Sequence, residues 1–130
     1  MDVSELMAPA SVSVKLTTTV TEAAKLMRDT SASCLVVTNG GNIEGVISES
    51  DMVIGCMANG HIPWQCTVER HMAPQDQVIA SDTQIGDASL MVIDGELEYL
   101  PVVDEGKLAG ILESVSVFGA MDSEMDYTPA

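Results

Sequence analysis

The 130-residue chain has little positive charge. Five Lys and Arg face twenty Asp and Glu, a formal net charge of −15. Nucleic-acid binding is built on Lys and Arg contacts to phosphate, so no nucleic-acid partner is expected. Aromatic side chains are scarce too: Trp64, Tyr99, Phe118 and Tyr127 are the full set, against nine Met. The core should therefore be aliphatic and Met-rich. Cysteine is confined to Cys34, Cys56 and Cys66, an odd number with no two separated by two residues. This spacing offers neither a disulfide framework nor a zinc pattern, so no metal is expected and a reducing compartment fits. Cys34, inside an apolar run, reads as a small buried hydrophobe. No stretch approaches the roughly 20 apolar residues of a membrane span. The opening Met1-Asp2-Val3 lacks the basic start and apolar middle of a signal peptide, so a cytoplasmic protein without a membrane partner is expected. There is no Gly-rich phosphate loop and no Gly-x-Ser-x-Gly segment. With no nucleophile–base constellation either, the chain does not read as an enzyme.

What remains is a folded acidic protein. Only 19% of residues are charged and 46% are hydrophobic, which excludes a disordered acidic tail. The length suits one ordinary domain or two very small ones. The sequence favours the second, because its halves repeat. Val3-Ser4-Glu5-Leu6-Met7-Ala8-Pro9 returns as Val68-Glu69-Arg70-His71-Met72-Ala73-Pro74, an offset of 65, and at that offset Gly45 meets Gly110. A unit of about 60 residues is marginal alone, so the copies are expected to pack as a pseudo-two-fold pair with a shared core.

Each copy reads as β-α-β-β-α, an α+β class. Ser11-Val12-Ser13-Val14 alternates as a short strand. Thr19-Val20-Thr21-Glu22 matches a capping box, and Val20, Ala23, Ala24 and Met27 form one apolar helix face. Cys34-Leu35-Val36-Val37 is a buried strand that turns at Asn39-Gly40-Gly41 into Gly45-Val46-Ile47. A second helix is predicted from about Ser50 to Ala58, ending near Asn59-Gly60. The second copy offers Ile85, Ala88, Ser89 and Val92 on its first helix. Its hairpin runs from Leu100-Pro101-Val102-Val103 through Asp104-Glu105-Gly106 to the 108–112 segment. The expected division is 1–62 for the first repeat with its N-terminal segment, 63–121 for the second, and 122–130 for an acidic tail.

These residues resemble the cystathionine β-synthase (CBS) domain. The resemblance lies in Met-Ala-Pro, the capped helix, the Leu-Pro-Val-Val-Asp strand and the Gly-hydrophobic-x-Thr/Ser-x-x-Asp segment. Two copies in tandem resemble the Bateman module over about residues 3 to 121. The resemblance implies a ligand-responsive regulatory module, without catalysis, that binds an adenosyl compound such as AMP, ATP or S-adenosylmethionine between the repeats. It also implies a homodimer formed through the helices. Its regulated protein partner is not named by the sequence.

The first copy carries the ligand motif as Gly45-Val46-Ile47-Ser48-Glu49-Ser50-Asp51. A carboxylate can accept hydrogen bonds from both hydroxyls of a ribose, and ionised acceptors make the stronger bonds. Asp51 stands at a helix start, where the dipole keeps it ionised, and Ser48 adds a hydroxyl. The same Ser48-x-x-Asp51 spacing also suits a capping box that closes the helix on itself. The resemblance implies an adenine pocket from Ser11, Val12, Ala32 and Ser33, with Leu35 and Ile47 beneath. Those last two suit core packing equally well. Arg70 and His71 are candidate phosphate contacts, with a plain surface role as the alternative. His61 and His71 have no catalytic partner in sequence.

The second copy departs from the pattern: Glu113 holds the Ser48 position and Ser116 the Asp51 position. Residues 1–65 carry a net charge of −4 and residues 66–130 a net charge of −11. One working half-site, preferring AMP or S-adenosylmethionine to ATP, is therefore expected. The runs Asp94-x-Glu96-x-Glu98 and Asp122-x-Glu124-x-Asp126 read as solvated acids. The second has Tyr127 where a calcium loop needs glycine. The competing function is a protein-interaction scaffold with degenerate sites. Met52, Val53, Cys56 and Met57 form a candidate dimer stripe, though core packing explains it as well.

Overall fold

Each apolar run flanked by a glycine turn becomes an arm of a β-hairpin in the computed structural model. Residues 1–9, 13–75 and 77–125 are described, apart from the side chains of 124 and 125. Strands β3 (Cys34–Asn39) and β4 (Asn42–Ser48) meet through Gly40 and Gly41, with φ of +58° and +87°. Positive φ at both central residues is what a tight type I′ hairpin turn demands. The second hairpin, β7 (Tyr99–Asp104) and β8 (Lys107–Glu113), turns through Glu105 and Gly106, again with positive φ. In register, Leu35 faces Ile47 and Leu100 faces Leu112, and all four are buried.

Helix α1 (Val20–Thr30) starts at the expected capping box. The Glu22 amide donates to Thr19 Oγ1 at 3.1 Å, and the Thr19 amide donates to Glu22 Oε2 at 3.4 Å. Val20, Ala23 and Met27 are buried, whereas Ala24, expected on the same face, is exposed and Leu26 packs against the core instead. The buried face is thus turned around the helix from the Ala24 side toward the Leu26 side, and is not narrower than the predicted one. Helix α2 (Ile85–Gly95) buries the four residues expected, Ile85, Ala88, Ser89 and Val92. Ser89 is satisfied locally, its Oγ donating to the Gly86 carbonyl at 2.6 Å. Helix α3 (Ser114–Met125) follows β8 and reaches into the segment expected to be tail; residues 126–130, including Asp126 and Tyr127, lie outside the described residues.

Two four-stranded sheets result. In one, β2 (Ser13–Lys15) lies parallel to β3, β3 antiparallel to β4, and β4 antiparallel to β5 (Ala73–Pro74). In the other, β6 (Ile79–Ala80) lies parallel to β7, β7 antiparallel to β8, and β8 antiparallel to β1 (Ala8–Pro9). Each Met-Ala-Pro strand thus completes the sheet of the other copy. The chain divides into one unit of residues 12–76 and another of residues 1–11 with 77–130. This differs from the sequence division at 62/63, which kept the N-terminal segment in the first repeat. The reason is long-range pairing: Ala8 aligns with Ile111 and Pro9 with Gly110, a partnership no local pattern reveals.

Each unit has its own core. One gathers Val14, Val20, Leu35, Val37, Ile47 and Val68, and the other Val3, Ile79, Leu100, Val102, Leu112 and Val117. Cys34 is buried, as its apolar setting suggested. No helix among the described residues is long and apolar enough to cross a membrane.

The repeated glycines have a steric cause. A Cβ on Gly45 would collide with the carbonyl oxygen of Ala73, and one on Gly110 with the carbonyl oxygen of Ala8. Gly45→Ala and Gly110→Ala should each lower the unfolding free energy by about 1–3 kcal/mol, the usual cost of forcing atoms into a packed interior. Gly86, on α2 with nothing within 4 Å of an added Cβ, should behave oppositely. Gly86→Ala is expected to stabilise by about 0.4–1 kcal/mol. Urea denaturation of the three variants checks both signs.

Candidate functional site

The end of β4 passes directly into a short π-helical segment, Asp51–Met57, and this junction carries the sequence motif. Asp51 Oδ2 accepts from the Ser48 amide at 2.9 Å and from Ser48 Oγ at 3.0 Å, while the Asp51 amide lies 3.3 Å from Ser48 Oγ. Ser48 is buried and Asp51 half-buried. The two expected ribose residues are therefore together, in the reciprocal arrangement that the capping alternative describes. Both bonds to the carboxylate end on Oδ2, so this box makes no use of Oδ1.

A second tie fixes the junction to the loop before β3: the Glu49 amide donates to the Ser33 carbonyl at 3.1 Å. Ala32 and Ser33 thereby line a cleft of about 510 Å³ with Glu49, Met52 and Val53. Leu35 and Ile47 are 3% and 0% exposed and belong to the core cluster, the packing role their sequence setting allowed. Ser11 and Val12 lie outside the described residues. The second copy keeps the backbone tie but not the side chains. The Ser114 amide donates to the Glu98 carbonyl at 3.0 Å, 65 residues on from the first pair, while Glu113 and Ser116 replace Ser48 and Asp51.

Met52 and Cys56 of the apolar stripe are buried, whereas Val53 and Met57 are exposed, so the stripe is divided between core and surface. Ile54 joins the exposed side at 66%.

The candidate phosphate residues part company. Arg70 is exposed at the end of the 3₁₀ turn Val68–Arg70. His71 is half-buried, and its Nε2 lies 3.5 Å from His61 Nδ1. Burial, then His61, then Arg70 push the His71 pKa down, and the Asp51 carboxylate opposes them. The His71 imidazole is thus within electrostatic reach of the motif carboxylate.

One grouping escaped the sequence. Cys56 Sγ, Cys66 Sγ and a His71 ring nitrogen lie within 4.8 Å of one another. Burial pushes the Cys56 thiol pKa up, and the neighbouring Cys66 adds to this, while Arg70 counters it. The expectation of no metal-ligand set rested on the absence of cysteines two residues apart. The structure corrects that premise, because turns bring together residues ten and five apart. The signal available was the spacing itself: Cys56, His61, Cys66 and His71 recur every fifth residue.

The comparisons with known proteins agree with the fold. The CBS domain profile matches residues 3–55 and 68–122, and the chain belongs to the CBS-domain family as a tandem pair. The meiotically up-regulated gene 70 protein of Schizosaccharomyces pombe is 32% identical over 112 residues, 86% of this chain and 15% of that protein. The CBS domain-containing protein CBSCBSPB3 of Arabidopsis thaliana is 28% identical over 108 residues, 82% of this chain and 19% of that protein. The chain therefore spans less than a fifth of either relative. Among solved structures, CBSX2 in complex with AMP is 26% identical with a TM-score of 0.70, covering 95% of this chain and 98% of that one.

The box around Asp51 carries a stability cost if removed. Asp51→Ala, which takes away the acceptor for the buried Ser48 amide, should destabilise the ligand-free protein by about 0.5–2 kcal/mol. Asp51→Asn keeps one acceptor oxygen and should lose less. Chemical denaturation of both variants measures the difference.

Proposed function

We propose that this CBS pair is a regulatory module whose first repeat binds an adenosyl compound, with Asp51 holding the ribose. The observation that carries this reading is the Gly45–Asp51 junction: a motif carboxylate fixed at a helix start, on a segment whose Glu49, Met52 and Val53 line an open cleft. The AMP complex of CBSX2, a 26% identical structure, supports it. A ribose diol would bond the Asp51 carboxylate, aided by Ser48 Oγ. The backbone around Ala32 and Ser33 would meet the adenine edge, with no charged side chain needed. Arg70 is an exposed cation suited to a single phosphate, since His71 is turned toward His61. No catalytic step is assigned to this site.

Charge favours AMP or S-adenosylmethionine over ATP. Grouped by the folded units, residues 12–76 carry seven acids and four bases (Lys15, Lys25, Arg28, Arg70), net −3. The other unit carries thirteen acids and one base, Lys107, net −12. Glu113 and Ser116 leave the second motif without the ribose carboxylate, so one half-site per chain binds. Regulation then follows from differential affinity: a ligand shifts the chain only as far as it prefers one arrangement over another. The partner so regulated is a protein. The exposed Val53, Ile54 and Met57 offer the helix face through which two chains would pair.

A scaffold with degenerate sites is the second reading, favoured by one observation: Asp51 is already satisfied by Ser48. Thermal unfolding with AMP, adenosine, S-adenosylmethionine and ATP separates the two. AMP at 100 times its dissociation constant should stabilise the native chain by about 2.7 kcal/mol, and ATP without Mg²⁺ should bind more weakly. Asp51→Ala should abolish the shift. No shift with any ligand selects the scaffold.

A further inference from the structure

Every fifth residue from Cys56 to His71 is a cysteine or a histidine: Cys56, His61, Cys66, His71. In a straight helix or strand such spacing would scatter the side chains. Here the chain folds back on itself. Cys56 is the last residue but one of the π-helical segment, and the His61 amide donates to its carbonyl at 3.0 Å. A loop with Gly60 at φ +78° then carries the chain to Cys66, and the Cys66 carbonyl accepts from the Val20 amide at 2.9 Å. The 3₁₀ turn Val68–Arg70 finally brings His71 back against Gly55, whose added Cβ would lie 3.8 Å from His71 Nδ1. Three separate backbone anchors thus return the chain to one region of unit 12–76.

We propose that Cys56, His61, Cys66 and His71 form a four-ligand site for a divalent cation of zinc type. The donor atoms of Cys56, Cys66 and His71 lie within 4.8 Å of one another, and His61 Nδ1 is 3.5 Å from His71 Nε2. Tetrahedral zinc with bonds of about 2.0–2.3 Å requires ligand-to-ligand edges of roughly 3.3–3.8 Å. The histidine pair already has that separation; His61 stands outside the 4.8 Å group of Cys56, Cys66 and His71, so a cation would draw that group together and turn the exposed His61 ring in as the fourth ligand. Two sulfurs and two imidazoles are the donor set that selects zinc over the hard cations magnesium and calcium. Both cysteines are nearly inaccessible, at 0% and 4% exposure, while His61 is open to solvent, so a cation has an approach from the histidine side. Four protein ligands leave no open coordination position. The site is accordingly structural: it clamps the end of the π-helical segment, the 59–66 loop and the approach to β5. It is independent of the adenosyl reading, and it gives His71 to the cation rather than to a phosphate.

The test is Co²⁺ titration of the full chain, without nucleotide, after EDTA treatment and under TCEP, with three free thiols counted beforehand. One equivalent should bind with tetrahedral visible bands and thiolate charge transfer, both bleached by Zn²⁺. His61→Ala alters an exposed side chain and should fold normally. It should weaken binding by at least the roughly 10–100-fold that loss of an outer-shell partner costs. Cys66→Ser should lose part of the charge-transfer intensity, while Cys34→Ala, outside the group, should leave the spectrum unchanged. Zn²⁺ should also raise the unfolding temperature of the native chain. Absence of thiolate bands in the reduced protein overturns the proposal, as does equal Co²⁺ affinity in His61→Ala.

Discussion

The close approach of a Met-Ala-Pro backbone to a glycine on the neighbouring strand is the constraint on which the rest of the chain depends. Ala73 lies against Gly45 and Ala8 against Gly110 so tightly that no Cβ fits between them. Each contact completes a four-stranded sheet with a segment contributed by the other copy. A unit of this size buries too little surface to be stable as an isolated hairpin and helix. The added strand covers what would otherwise be an open sheet edge, with its row of unpaired backbone groups.

The same contact positions the chemistry. Because β5 lies antiparallel on β4, the residues just before it, Arg70 and His71, fall toward the C-terminal end of β4, the end from which the chain continues into the π-helical segment. Asp51, the two cysteines and both histidines then share one small region of unit 12–76. One carboxylate oxygen of Asp51, Oδ2, is held by Ser48 from the same junction. A preorganised acceptor of this kind reduces the ordering cost of binding. The second copy keeps the glycine contact and the backbone tie from Ser114 to Glu98, but changes the motif side chains and continues into an α-helix rather than a π-helical segment. The sheet architecture is therefore repeated where the motif side chains are not.

Local structure was legible because it has local causes. Asn39-Gly40-Gly41 specifies a tight turn, Thr19 and Glu22 a helix start, and Ile85, Ala88, Ser89 and Val92 a buried face. Exchange of the Met-Ala-Pro strands was not legible, since it pairs Ala8 with Ile111, far along the chain. The glycines at 45 and 110 were visible as a repeat, but their reason was steric and needed the partner strand. Ala24 was misplaced because helical periodicity gives an apolar face without fixing how the helix is turned on its sheet, which here brings Leu26 inward instead. Asp51 and Ser48 were legible as a pair by their three-residue spacing, which two different roles share. The Cys56–Cys66–His71 grouping was missed because its turns have no short-spacing signature, and a search for cysteines two residues apart passes over it.

Two consequences of the sequence's acidity separate once the fold is known. Regrouping by folded units concentrates the negative charge on residues 1–11 and 77–130 and leaves the unit with the intact motif nearly balanced. The central claim is that only this nearly balanced unit binds an adenosyl ligand, at Asp51. Backbone amide NMR of the ¹⁵N-labelled chain titrated with AMP tests it most directly. The expected result is saturable shifts at Ser48, Glu49 and Asp51 and at Ala32 and Ser33, with none at the Glu113–Ser116 segment. Shifts confined to Glu113–Ser116, or no shift anywhere in the first motif, would contradict it.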